Sequence, residues 1–232
     1  METTDKFNSK QLVNLRAGYR LKLWFFSLLI ALITFGISYF YYQFSKEGAT
    51  GTRLVSQLTA DAGTILIIIS FLFSPLTFFF NFLDQKLAYR KYLGLVGFYL
   101  TLIHIYITID FAMHNPSSSF RDFARIWSFV LGIIALSLFI QMTILSNDSF
   151  VRTFGSKAQR IYLRLAGYSA LILVVIHFWL RKSDGWLKWL SGSGASPLPP
   201  LSFVVLIFAL VVVLLRLLLW LKTIKKSFLP AV

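Results

Sequence analysis

Two of this chain's three histidines stand in the middle of apolar sequence. His104 lies in Leu102-Ile103-His104-Ile105 and His177 in Val175-Ile176-His177-Phe178. Imidazole is too short to snorkel far toward water as lysine and arginine do, so a ring set among such neighbours needs a partner inside the protein. It can ligate a metal, pass a proton or hydrogen-bond between helices. The third histidine, His114, follows Met113 and precedes Asn115-Pro116-Ser117-Ser118-Ser119, a turn sequence, and reads as interfacial. The other ionisable groups near apolar runs have simpler readings. Asp61 and Asp110 fall near helix ends within reach of interfacial water, and the stem of Arg216 can carry its charge to the surface.

The segments that must position these rings are long. Apolar runs extend from Leu21 to Tyr42, Leu58 to Phe82, Tyr92 to Met113, Ile126 to Leu145, Ile161 to Leu180 and Leu201 to Leu221. Each approaches or exceeds the roughly 20 residues that cross a bilayer. In lipid the backbone must bond internally, so the runs are predicted to be helices. With 57% hydrophobic residues and a mean hydropathy of +0.71, the 232-residue chain reads as all-α, a six-helix transmembrane bundle forming one membrane domain over residues 1–232. The remaining short loops and ends leave no room for a second domain. The first run is too long for the apolar core of a cleavable signal, and no small-residue cleavage pattern follows it. No internal repeat is apparent.

The net charge of +14 has its source in topology rather than in nucleic acid. Fifteen Lys and Arg fall in the amino terminus, the second and fourth loops with the adjoining helix starts, and the carboxyl terminus; seven fall in the other loops, and Arg216 lies inside the last helix. The positive-inside bias then puts both termini in the cytoplasm, with the basic residues against anionic lipid. There is no cysteine, which excludes disulfides, iron–sulfur clusters and thiolate metal sites. Pro75 predicts a kink near the cytoplasmic end of the second helix. Trp186 and Trp189 read as an interfacial anchor in the fifth loop, followed by a flexible Ser/Gly/Pro link, and the Val/Leu-rich last helix as broadly lipid-facing.

Depth brings the two buried histidines into relation. With the third and fifth helices running outward, His104 lies roughly 18 Å and His177 roughly 24 Å from the inner ends, at ~1.5 Å rise per residue. Both fall in the outer half of the bilayer. Two imidazoles at similar depth suit the axial positions of one haem b; they suit a hydrogen-bonded or proton-handling pair equally well. His177 shares a helical face with Ala170 and Ala166, and His104 with Thr101, Gly97 and Thr108. Small residues there fit a porphyrin edge or close helix packing.

Helix three, Arg90-Lys91-Tyr92-Leu93-Gly94-Leu95-Val96-Gly97-Phe98-Tyr99-Leu100-Thr101-Leu102-Ile103-His104, resembles the haem-binding helix of the ferric reductase-like transmembrane family. Helix five, from Arg160-Ile161-Tyr162-Leu163-Arg164 to His177-Phe178-Trp179, resembles that family's second haem helix. The resemblance implies that His104 and His177 are axial ligands of one haem b in the outer half of the bilayer of a bacterial inner membrane, beside Gly97 and Ala170. The family's further histidine, thirteen residues before the second ligand, is replaced here by Arg164, so a second, inner haem is not expected; Arg164 is left for a propionate, a quinone or a lipid phosphate. No G-x-G-x-x-G follows a strand, and the chain ends at Val232, soon after the last helix. No FAD or NAD(P) site is therefore expected in it.

The resulting expectation is the electron-transfer subunit of an oxidoreductase system rather than a complete enzyme. Electrons would come from quinol or a separate flavoprotein and leave to an extracytoplasmic acceptor protein. The alternatives are a haem-free transporter, for which no inverted repeat is apparent, or an assembly subunit of a larger membrane complex. Neither paired carboxylates nor a hydrolase motif supports an intramembrane enzyme.

Overall fold

In the computed structural model, residues 9–45, 50–80, 83, 86–114, 122–146, 156–194 and 196–228 are described. They form six helices: α1 (Ser9–Ser45), α2 (Gly51–Phe79), α3 (Leu87–His114), α4 (Phe123–Leu145), α5 (Ser156–Leu190) and α6 (Leu201–Phe228). Each contains a stretch long and apolar enough to cross a membrane, and no strand occurs among the described residues. The chain is an all-α, multi-pass membrane protein built as a six-helix bundle. The turn read at Asn115–Ser119 lies outside the described residues.

The helices run alternately up and down. At one end the start of α3 meets the start of α1, with the rings of Trp24 and Tyr92 5.3 Å apart. There too Lys91 Nζ donates to the Ser146 carbonyl at the end of α4, at 2.9 Å. At the other end Tyr41 at the end of α1 donates to the Pro199 carbonyl just before α6, at 2.6 Å. The first is called here the terminal end, because α1 begins and α6 finishes there; the second is the opposite end.

α2 is the central element. Half of its most apolar window is buried, against 17–28% for the other five helices. It packs chiefly on α3, then on α6 and α1, while α4 packs on α5. α3 and α5 barely approach each other along the backbone. The α2–α3 approach is set by two glycines. A Cβ on Gly97 would stand 2.7 Å from the Gly63 carbonyl oxygen and 2.9 Å from Ile67, and one on Gly63 3.0 Å from the Gly97 carbonyl oxygen. The many apolar side chains left exposed, such as Leu32, Tyr106, Phe208 and Leu218, face lipid, where exposure costs nothing. α6 turns Leu201, Val205, Leu206, Ala209, Val212 and Leu219 inward and Phe208, Leu214 and Leu218 outward.

Several ends differ from the sequence reading. α5 continues through Leu190, so Trp186 and Trp189 are helical rather than in a loop. Trp186 is 2% exposed; its Nε1–H donates to Ser202 Oγ at 3.1 Å and its ring packs on Trp179 and Phe203. It ties α5 to α6. Apolar contact thus extends the helix past Leu180, where the apolar run ends, through Arg181, Lys182 and Asp184. It stops in a Schellman turn, Ser193 N–H to the Lys188 carbonyl and Gly192 N–H to that of Trp189, with Gly192 at φ +73. Pro75 lies buried within α2, which runs on to Phe79; Phe82, where the apolar run was read to end, lies outside the described residues. Asp61 is 3% exposed and accepts a hydrogen bond from the Tyr42 hydroxyl, so its carboxyl is held by protein rather than by interfacial water.

Gly97→Val should lower the melting temperature of the detergent-purified protein, by the equivalent of about 1–3 kcal/mol of overpacking. Gly36→Ala, where an added Cβ meets nothing within 4 Å, should not. Equal melting of the two variants would refute the close α2–α3 approach.

Candidate functional site

His104 and His177 lie on different helices, α3 and α5, and each is held by the helix preceding its own. Nδ1 of His104 is 2.8 Å from the carbonyl oxygen of Ser56 on α2 and 3.0 Å from that residue's hydroxyl. Nδ1 of His177 is 2.7 Å from the carbonyl oxygen of Ser128 on α4 and 3.1 Å from its hydroxyl. A carbonyl can only accept, so Nδ1 carries the hydrogen in both rings. In a neutral imidazole the lone pair then sits on Nε2, and among the described residues neither Nε2 has a hydrogen-bond partner.

The two arrangements match in register. Ser56 is the sixth residue of α2 and Ser128 the sixth of α4, so both rings are fixed roughly 8 Å in from the helix starts at the opposite end. A charge on one imidazole acts on the other, and the charges of Arg181 and Lys182 act on both. His177 also packs against α4: a Cβ on Gly132 would stand 3.3 Å from its Nδ1. Thr108, one turn beyond His104, shares the Ser56 hydroxyl at 3.3 Å.

The remaining residues singled out from sequence are dispersed. Gly97 meets α2 through Gly63, seven residues from His104 along α3. Ala170 is fully buried in the main apolar cluster, two turns from His177. Arg164 is thirteen residues from His177, roughly 20 Å along α5, at the terminal end. It lines a cavity with Arg216 there. His114 is 73% exposed; its Nδ1–H donates to the Asp110 carbonyl at 2.8 Å, four residues back. Sequence reasoning missed Ser56, Ser128, Gly132 and Arg181. Of these only Arg181 left a signal, since it follows His177 by one helical turn and so shares its face.

This donor set fits a haem held between two imidazoles. A ligating histidine typically donates its other ring N–H to a carbonyl or carboxylate, which fixes the tautomer and the ring orientation. Both rings meet that condition, from separate helix pairs whose backbones stand apart. Among the described residues no three His, Cys, Asp or Glu side chains gather as a bare metal ion would require; a porphyrin brings four nitrogens of its own and needs only the two rings.

Comparison with known proteins points the same way. The chain is 30% identical over 99 residues to the haem-binding subunit MsrQ of protein-methionine-sulfoxide reductase from Brucella ovis, and equally to those of Brucella canis and Brucella suis. The match takes in 40% of this chain and 44% of each relative, so it spans less than half the length of the curated relatives. No protein-family model matches the chain. Six spans and this distant likeness to bacterial haem-binding subunits describe a multi-pass protein of a bacterial inner membrane.

Nitrogen-15 NMR of histidine-labelled protein purified without haem should find His104 and His177 protonated at Nδ1 and bare at Nε2. Protonated Nε2 in either ring would contradict the bonding to Ser56 and Ser128.

Proposed function

We propose that this chain is the haem-carrying electron-transfer subunit of a membrane oxidoreductase system of the ferric reductase-like kind, with one haem b ligated by His104 and His177. The observation that carries the reading is the repeated commitment of Nδ1–H to a serine carbonyl, which leaves an Nε2 lone pair on each of two separate helix pairs. Haem b bound there supplies one-electron chemistry, its iron alternating between ferric and ferrous.

The chain's own residues supply the rest. Ser56 and Ser128 hold the two rings in the ligating tautomer. Gly132 lets His177 lie against α4, and Ala170 adds no bulk on the His177 face. Gly97 sets how closely α3 rests on α2 and so where His104 stands. Arg181, one turn from His177, is the guanidinium suited to a propionate; Arg164, at the far end of the span, is not. If His104 and His177 both ligated the haem, it would serve to pass electrons rather than to transform a substrate.

Both termini lie in the cytoplasm in this reading, by the positive-inside bias, which sets the histidine pair in the outer half of the bilayer. Electrons then leave to an extracytoplasmic acceptor; the named relatives suggest a protein-methionine-sulfoxide reductase. One haem in the outer half is far from a cytoplasmic flavoprotein, so membrane quinol is the favoured donor.

Absorption spectra of the purified protein, oxidised and then reduced with dithionite, test this. A sharp low-spin b-type reduced spectrum with about one haem per chain is expected. His104→Ala and His177→Ala should each abolish haem retention, while His114→Ala should keep it. A colourless wild type after expression with added haem, or equal haem in all three variants, would remove the assignment.

A further inference from the structure

The terminal end of the bundle holds a second polar site with no part in the histidine pair. Arginines from three helices stand there: Arg164 of α5 and Arg216 of α6 line one cavity, and Arg90 of α3 lies on the ring stack beside it. Aromatic rings hold two of them. The Arg90 guanidinium lies 5.9 Å from the centre of the Phe71 ring, the Arg216 guanidinium 5.7 Å from that of Tyr168, and the two rings are 5.4 Å apart. Beside this stack opens a cavity of about 310 Å³ lined by Arg164, Arg216, Ser74, Thr77, Phe78 and Trp220.

Positive charges gathered at one end of the bundle repel one another. Among the described residues no carboxylate forms an ion pair with any of them. Cation–π contact offsets part of the cost, about 0.5–2 kcal/mol each. An anion set among the guanidiniums would remove the repulsion and accept their N–H groups in the forked geometry that phosphate oxygens match. The cavity's other wall says what the anion is attached to. Phe78 and Trp220 are more than half exposed on the lipid-facing surface, and Arg216 is five residues short of Leu221, where the last span ends, roughly 8 Å along the axis. That is the level at which a headgroup phosphate meets its acyl chains. The hydroxyls of Ser74 and Thr77 add short polar groups at the same level.

We propose that Arg164 and Arg216 bind the phosphate of an anionic phospholipid in this cavity, its acyl chains lying along Phe78 and Trp220. A haem propionate is not the ligand: Arg164 and His177 are separated by roughly 20 Å of helix. The site therefore stands whether or not haem is bound.

Native mass spectrometry of the delipidated, detergent-solubilised full chain tests it. The probes are phosphatidylglycerol and phosphatidylcholine, and the proteins are wild type, Arg164→Gln and Arg160→Gln. Arg160 and Arg164 are both exposed on the first turns of α5, so neither change should unfold the protein, and circular dichroism verifies this. Wild type and Arg160→Gln should retain one phosphatidylglycerol in preference to phosphatidylcholine, and Arg164→Gln should bind it about tenfold more weakly, the loss of one charge-assisted contact. Equal retention of the two lipids, or equal behaviour of the two variants, would overturn the site. Displacement of phosphatidylglycerol by millimolar inorganic phosphate would overturn the lipid and leave free phosphate as the ligand.

Discussion

Hydrocarbon offers a polar atom nothing to bond to, and the arrangement of this bundle follows from how each such atom is answered. The backbone closes its bonds within helices. Short hydroxyls fold back on their own helix, as Thr34 does to the Ile30 carbonyl, Thr64 to Ala60 and Thr143 to Phe139. An imidazole nitrogen buried in a span needs a partner on another helix, and both buried histidines find theirs on the helix just before their own. Those two bonds pin α3 to α2 and α5 to α4 near the opposite end. Tyr42 to Asp61 and Ser70 to the Arg90 carbonyl add to the same cross-helix set.

The six spans and the two unusual histidines were legible in the sequence because both are local signals, a run length and a polar residue out of place. Helix ends were not, since contacts made far along the chain decide where a helix stops. Trp186 packs on Phe203 and bonds to Ser202, and that contact carries α5 past Leu180, where the apolar run ends. Asp61 looked interfacial by position, yet the Tyr42 hydroxyl, nineteen residues earlier, reaches it in the interior. Ser56 and Ser128 were invisible for a related reason. What they offer is a backbone carbonyl, which every residue has, and only the pairing of helices shows which carbonyl is used. Gly97 was recognisable as a site of close approach, but the side from which the neighbour comes depends on where α2 lies.

No repeat is visible in the residues, yet the hairpins α2–α3 and α4–α5 use one device twice. In each, a serine at the sixth position of the first helix receives the Nδ1–H of a histidine about 48 residues later. Apolar helices can share a geometry while their side chains diverge, because lipid and close packing constrain size more than identity. The geometry persists where a hydrogen bond fixes it.

This construction bears on how the two ends of the molecule divide their work. Each histidine is oriented by its own hairpin before anything lies between them, so a flat ligand needs little reorganisation of the bundle, and the supporting contacts act as the shell that a ligating ring requires. Since α3 and α5 scarcely meet, such a ligand would also join hairpins that the protein itself holds together mainly through α2 and α6. Binding to the folded state alone would then add stability in proportion to its affinity. At the terminal end the logic is reversed. Arg164 and Arg216 line one cavity with no carboxylate paired to them among the described residues, and in the proposed site a membrane phosphate answers them. In the proposed function one polar cluster would be completed by a cofactor and the other by the solvent the protein lives in.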